Sequence, residues 1–140
     1  PYWDASARGL IIGLNDNSSK KDVVKAAYEA ICMQVSDIFD LLRPAKNEIK
    51  VDGGVSVNDD IMQMQADVLG RKLFRSDMRE STVFGAAIAA GFSAGIWTFD
   101  DIKQFYRSGK LFYPEGNEEE INQRKKYWKK AVERSLYWLD

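Results

Sequence analysis

Asp52-Gly53-Gly54, three further residues and then Asn58 form the stretch of this sequence where residue types and spacing together point to chemistry. Two glycines without Cβ let a ligand come close to the main chain. A helix opening at Asn58 offers unpaired N–H groups and the positive end of its macrodipole. Those are the needs of a phosphate or nucleotide. The Asn58 amide can hydrogen-bond a base or ribose, or its oxygen can simply cap the helix. The spacing is not GxGxxG and no GK[ST] follows, so neither a dinucleotide-binding fingerprint nor a P-loop is present. Taken alone, a Gly-Gly turn before a helix is more often structural than functional.

Other chemistry is narrowly bounded. The chain has no histidine, which removes the usual general base, every Ser-His or Cys-His nucleophile arrangement and most zinc sites. Proton transfer would fall to a carboxylate, Lys, Tyr or Cys. Asp52, Asp59, Asp60 and Asp67 lie nearest the Gly-Gly turn, and none has a partner at a spacing that would raise its pKa, so none is assigned as a base. Cys32 is the single cysteine and cannot form an internal disulfide. Arg124, Lys125, Lys126, Lys129, Lys130 and Arg134 crowd the last helical segment around Tyr127 and Trp128, a mixture that can mean nucleic acid. Glu115 and Glu118–Glu120 precede them, however, and acidic-first, basic-last is the polarity a helix dipole favours, so a solvated face accounts for the run.

The elements that must position these residues read as alternating strands and helices. Gly9–Leu14 is a short β-capable run closed by turn residues Asn15–Ser19. Ser19 and Asp22 have the spacing of a capping box, and Val24, Ala27, Ile31, Val35, Ile38 and Leu42 predict a long amphipathic helix over 19–42, ended by Pro44. Its Val24/Ile31/Ile38 face is expected to pack on a sheet containing Ile49–Asp52. A second helix opens at Asn58 with Ile61, Met64 and Val68 and stops at Gly70. Lys72–Arg75 reads as a strand, Glu80-Ser81-Thr82 as a helix start, and Val83–Ala94 as a helix of small residues. Glycine costs such a helix about 1 kcal/mol per position relative to Ala, so close packing on the sheet or another helix is expected, with exposure of backbone to a bound adenosine as the lesser alternative. Thr98 caps a short helix through Phe105 and Tyr106 that Ser108-Gly109 ends, and Ile121, Trp128, Val132, Leu136 and Leu139 stripe a closing helix. Strand-helix alternation implies an α/β layer structure.

Composition sets the outer bounds. The 140 residues are 45% hydrophobic and 29% charged, the balance of one ordinary globular domain. A net charge of −1 gives no global attraction to nucleic acid or anionic lipid, and nothing resembles a signal peptide or a long apolar span, so the cytoplasm is the expected compartment. The first residue is Pro1 and the opening Pro1-Tyr2-Trp3-Asp4 is aromatic rather than tail-like, so the chain is expected to be a piece of a longer one.

Several of these stretches, in order, resemble the C-terminal domain of the FGGY carbohydrate kinases, and within them the branch that phosphorylates glycerol. Gly9–Leu14, seven residues, then Asp22–Glu29 is similar to that family's second signature. Pro1–Asp4 with Ala7-Arg8-Gly9 resembles the approach to it, Val51–Asn58 the adenine-nucleotide loop, and Arg79–Ala87 the helix start that follows. The match runs through about Gly95 and more loosely to the closing helix.

The resemblance implies a ribonuclease H-like, actin-type ATPase α/β domain, partial, with flanking C-terminal helices. Residues 1–140 would be an incomplete C-terminal domain, one of a pair that close over substrate and ATP with Mg²⁺. It implies that Gly54 offers its backbone N–H to the nucleotide phosphates, that Asn58 hydrogen-bonds the adenosine and that Gly53 makes the turn possible. It implies no catalytic or metal-binding residue in this chain. The phosphate-holding loops, the polyol-binding residues and the base aspartate would lie before Pro1, so the chain alone is expected to be inactive, with Mg²⁺ held mainly by other residues. Expected partners are ATP or ADP, and glycerol through the N-terminal domain, with no nucleic acid and no membrane; the parent would be a homo-oligomer. Ala5-Ser6 stands where a Pro-aromatic pair is usual, and Pro114–Glu119 departs from the segment by which some bacterial members bind a sugar-transport regulator, so no regulatory zinc or partner is expected there. Other readings stay open: a different FGGY sugar or polyol kinase such as a xylulokinase-like enzyme, or a non-catalytic binding module of actin-like fold.

Overall fold

The computed structural model describes residues 2–42, 48–77, 81–105 and 108–139. Along them run α1 (Lys20–Leu42), β1 (Glu48–Val51), a 3₁₀ turn (Gly54–Val57), α2 (Asp59–Leu69), β2 (Lys72–Ser76), α3 (Ser81–Ser93), α4 (Phe99–Gln104), β3 (Gly109–Phe112) and α5 (Glu118–Ser135). The strands form one sheet in the order β1-β2-β3. β1 and β2 are parallel, with Ile49 opposite Leu73 and Val51 opposite Arg75, and α2 makes the crossover that parallel pairing requires. β3 returns antiparallel to β2, placing Phe112 opposite Leu73 and Lys110 opposite Arg75.

The core sits between this sheet and two stacked helices. α2 buries Ile61, Met62, Gln65, Ala66 and Val68. With Cys32 and Met33 of α1, Leu73 of β2 and Phe112 of β3, its apolar members make one cluster, flanked by Ile49, Val51, Met64, Leu69 and Trp128. The buried Gln65 amide is satisfied by donating from Nε2 to the Cys32 carbonyl at 3.2 Å. Gly70 closes α2 in the left-handed conformation, as expected, and Arg71 N–H reaches back to the Ala66 carbonyl at 3.2 Å.

α1 forms where its periodicity predicts, and Ser19 donates to Asp22 Oδ2 from Oγ at 2.7 Å and from its backbone N–H at 2.9 Å. Its packing differs from expectation. Val24, Ile31 and Ile38 are 52%, 43% and 43% exposed, while Cys32, Met33 and Ser36 are buried against α2. The physical reason is that the crossover helix already covers the sheet, so α1 meets α2 rather than strands, and α1 is apolar on more than one side. Pro44, expected to end α1, lies outside the described residues, as do Arg79, Glu80 and Tyr106.

Residues 9–14 are not a strand: no described strand runs beside them, and Leu10, Ile11, Ile12 and Leu14 stay exposed. A β-capable run without a neighbour has no ladder to join. Conversely β3 occupies residues where only a helix end was expected. Thr98 caps α4 as read, in a reciprocal capping box with Asp101. In α3 only Gly91 is buried, and a Cβ there would fall 2.5 Å from the Trp97 ring; Gly85 faces open space. Close packing thus explains one glycine of α3, while of residues 85–90 Ile88 alone is half-buried and the rest are exposed. Asn117 Oδ1 caps α5 by accepting from Glu119 and Glu120 N–H. Arg124 pairs with Glu29 at 3.2 Å, and Trp128 donates to Asp37 at 2.7 Å, fixing α5 to α1. Leu136 and Leu139 lie past its end.

Candidate functional site

The loop at the carboxyl end of β1 carries Gly53, Gly54 and Asn58 together, the position where ligands approach open α/β sheets. Its two glycines differ in their reasons. Gly53 has φ 91° and ψ 172°, a region essentially restricted to glycine, and it turns the chain from β1 into the 3₁₀ turn. Gly54 has no positive φ, and a Cβ built there meets nothing within 4 Å. The chain's own packing among the described residues therefore does not require glycine at 54, and of the two glycines Gly53 alone has a positive φ.

The turn is held from within. The Ser56 N–H and Oγ both donate to the Gly53 carbonyl, at 3.0 and 2.7 Å. Asn58 Oδ1 accepts from the N–H of Asp60 at 2.9 Å and of Ile61 at 3.2 Å, so the capping role is real. That role uses the amide oxygen alone. Nδ2 finds no partner among the described residues, nor do the N–H groups of Gly54 and Val55 at the start of the 3₁₀ turn. Asn58 is half-buried, whereas Asp52, Gly53 and Gly54 are exposed. The arrangement offers hydrogen-bond donors to a ligand and no charge of its own at the turn.

Two carboxylates beside the loop are committed to structural contacts. Asp67 Oδ1 is occupied in accepting from Gln63 and from the Glu115 and Gly116 N–H groups, which ties α2 to the turn before α5. Asp59 is held below the usual carboxylate range, first by the hydrogen bond from Lys110 and then by that from Arg75. Burial, and secondarily Glu29, pushes the Cys32 thiol up to about 11, which makes it a core group and not a nucleophile. Among the described residues no group of three or more His, Cys, Asp or Glu side chains that could hold a metal ion occurs. No described helix is long and apolar enough to cross a membrane.

Arg75 and Lys110 are what residue spacing did not show. Arg75 Nη1 donates to the Ser56 carbonyl at 2.5 Å and Nη2 pairs with Asp59 Oδ1 at 2.8 Å, while Lys110 Nζ reaches Asp59 Oδ2 at 2.5 Å. Both cations lie over the Phe112 ring, 5.2 and 5.0 Å from its centroid. The two stand opposite each other in the β2–β3 register, a like-charge pair that needs a shared carboxylate. Only knowledge of β3 would have exposed that pairing.

Comparison with known proteins agrees with the family resemblance. Residues 1–94 match the FGGY family of carbohydrate kinases, C-terminal domain. Glycerol kinase of Rhodopirellula baltica is 39% identical over 145 aligned residues, covering 100% of this chain and 27% of that protein. Glycerol kinase of Streptococcus sanguinis is 43% identical, covering 94% of this chain and 27% of its own length. The solved structure of Plasmodium falciparum glycerol kinase with ADP superposes with a TM-score of 0.86 at 31% identity, covering 99% of this chain and 29% of that one. The chain thus spans between a quarter and a third of the length of the proteins it matches. The mixed sheet with its crossover helix is accordingly part of the ribonuclease H-like ATPase fold, and the chain belongs to the FGGY family of carbohydrate kinases.

Proposed function

We propose that this chain is the nucleotide-side portion of a longer kinase that transfers the γ-phosphoryl group of ATP to glycerol, giving glycerol 3-phosphate and ADP. The observation that carries this is the Gly53–Asn58 loop, in a chain similar to a glycerol kinase solved with ADP. Residues 1–140 are then an incomplete C-terminal domain. Gly54 lets phosphate oxygens meet the main chain and supplies its N–H to them. Asn58 keeps Oδ1 on the helix cap and turns Nδ2 to the adenosine. In the transfer, a glycerol oxygen bonds to the γ-phosphorus and the bond from that phosphorus to the bridging oxygen of ADP breaks. The hydroxyl proton passes to a base outside the described residues. Catalysis of this kind rests on positioning and charge stabilisation, and this chain supplies positioning. Mg²⁺ accompanying ATP is held elsewhere in the parent enzyme, and a cytoplasmic setting supplies both substrates.

The test is ADP affinity and thermal midpoint of the full-length protein, with coupled detection of glycerol 3-phosphate. Asn58→Asp keeps an acceptor for the cap but replaces the amide donor with negative charge, so nucleotide affinity should fall about tenfold with little loss of stability. Gly54→Val should likewise weaken nucleotide binding, since a Cβ there meets no protein atom within 4 Å and the branched side chain would stand where phosphate approaches the main chain. A fold-competent Asn58→Asp protein with unchanged ADP affinity returns Asn58 to capping alone. Full-length protein without glycerol-dependent ADP formation overturns the kinase reading, whereas the 140-residue chain by itself should show none.

A further inference from the structure

Arg75 sits on β2, the central strand, with only 20% of its side chain exposed. Its guanidinium grips two points of the nucleotide loop that flank Asn58 in sequence: the carbonyl of Ser56, two residues before, and the carboxylate of Asp59, one residue after. Lys110 takes the other oxygen of Asp59 from β3, so the carboxylate is pulled toward the sheet by two strands at once. Phe112 lies beneath both cations and gives the fork a floor. We infer that Arg75 is a positioning residue for the nucleotide: it clamps Ser56 and Asp59 so that the Gly54 N–H and Asn58 Nδ2 are set in place before ATP arrives.

The inference rests on the nucleotide reading above and adds to it a residue of another strand. The loop's internal bonds, from Ser56 to the Gly53 carbonyl and from α2 to Asn58 Oδ1, fix each end of the 3₁₀ turn locally. Neither ties the loop to the sheet. Arg75 does, through two different nitrogens of one rigid planar fork, whereas a lysine ammonium in its place would be a flexible point charge without that fixed geometry.

The experiment is steady-state kinetics of the full-length enzyme with ATP and glycerol varied separately, together with ADP titration, at a temperature where every variant is folded. Arg75→Ala should raise the KM for ATP and the Kd for ADP about tenfold while the KM for glycerol stays within about twofold. Arg75→Lys, which keeps the charge but not the fork, should fall between wild type and Arg75→Ala. Lys72→Ala is the control, because Lys72 lies on the same strand and its 3.1 Å pair is with Glu48, away from the loop; it should leave both KM values unchanged. If Arg75→Ala does not fold, Arg75→Lys decides alone. The clamp is overturned if the ATP and glycerol KM values move together, if neither moves, or if Arg75→Lys binds ADP as wild type does. A wild-type enzyme that does not bind ADP removes the nucleotide reading itself, a separate result, and the clamp falls with it.

Discussion

The segment from β1 to β2, closed by β3, and two separate surfaces, α3 and the outer face of α1, all carry apolar residues, yet the structure treats them oppositely. In the first, Leu73 and Ala66 are fully buried in one cluster that Cys32 and Met33 of α1 complete. In the second, Leu41, Leu42 and Val83 stand largely exposed, and Ile31 and Ile38 are each 43% exposed. Patterning states that a face is made to be buried. It does not state against what, and the Gly53–Asn58 loop is anchored to the half whose covering elements are described.

The contrast between the two regions breaks most readily at Leu73. Leu73→Ala removes a fully buried side chain between α2 and β3 and should cost about 2–5 kcal/mol of unfolding free energy in the chain. Ile31→Ala, on the outer face of α1, should stay within about 0.5 kcal/mol. Urea unfolding of both variants beside wild type measures the difference. A loss at Ile31 as large as that at Leu73 would mean that the outer face is covered in solution and that the two regions are alike.

What could be read beforehand follows the same division. α1, α2, Gly70 as the stop, β1, β2 and the Thr98 cap were legible because each depends on local chemistry: a capping box, a left-handed glycine, a 3.6-residue period. The placement of Gly53, Gly54 and Asn58 in one turn was legible for that reason too, since a strand end, a turn and a helix start are contiguous. The direction of α1's packing was not, because it depends on α2 having taken the sheet first. β3 is four residues long, too short for alternation to register, and residues 9–14 have strand chemistry with no described neighbour. Arg75 and Lys110 became visible as one feature only when β3 brought them together around Asp59.

A finer contrast lies within the loop. Gly53→Ala forces an L side chain into φ 91°, ψ 172° and should cost about 1–3 kcal/mol. Gly54→Ala enters open space with no positive φ and should change stability by less than about 1 kcal/mol in either direction. Thermal unfolding of the two separates a glycine the fold needs from one it does not. Equal losses would erase that distinction, and with it the argument that residue 54 is kept small for a ligand.

The smallest expected effect is electrostatic and concerns how the loop is tied to the sheet. Asp59 is held below the ordinary carboxylate range, chiefly by Lys110 and next by Arg75, so its ionised form is favoured in the folded chain. A depressed folded value means that the stabilisation is complete above the unfolded Asp pKa of about 3.9 and disappears as pH falls through the lower folded value. An amide in place of the carboxylate cannot ionise, so the gap in thermal midpoint between wild type and Asp59→Asn should hold steady near neutrality and close in acid. Asp22 and Asp101 are also depressed, by Ser19 and Thr98 respectively, and weaken the chain in the same acidic window. Wild type and variant both carry them, so their contribution cancels in the gap. Added salt should narrow the gap as well, because half of the Asp59 side chain is exposed and such pairs are screened. A gap that persists unchanged into acid would show that Asp59 acts through shape rather than charge, leaving the Ser56 carbonyl as Arg75's only hold on the loop.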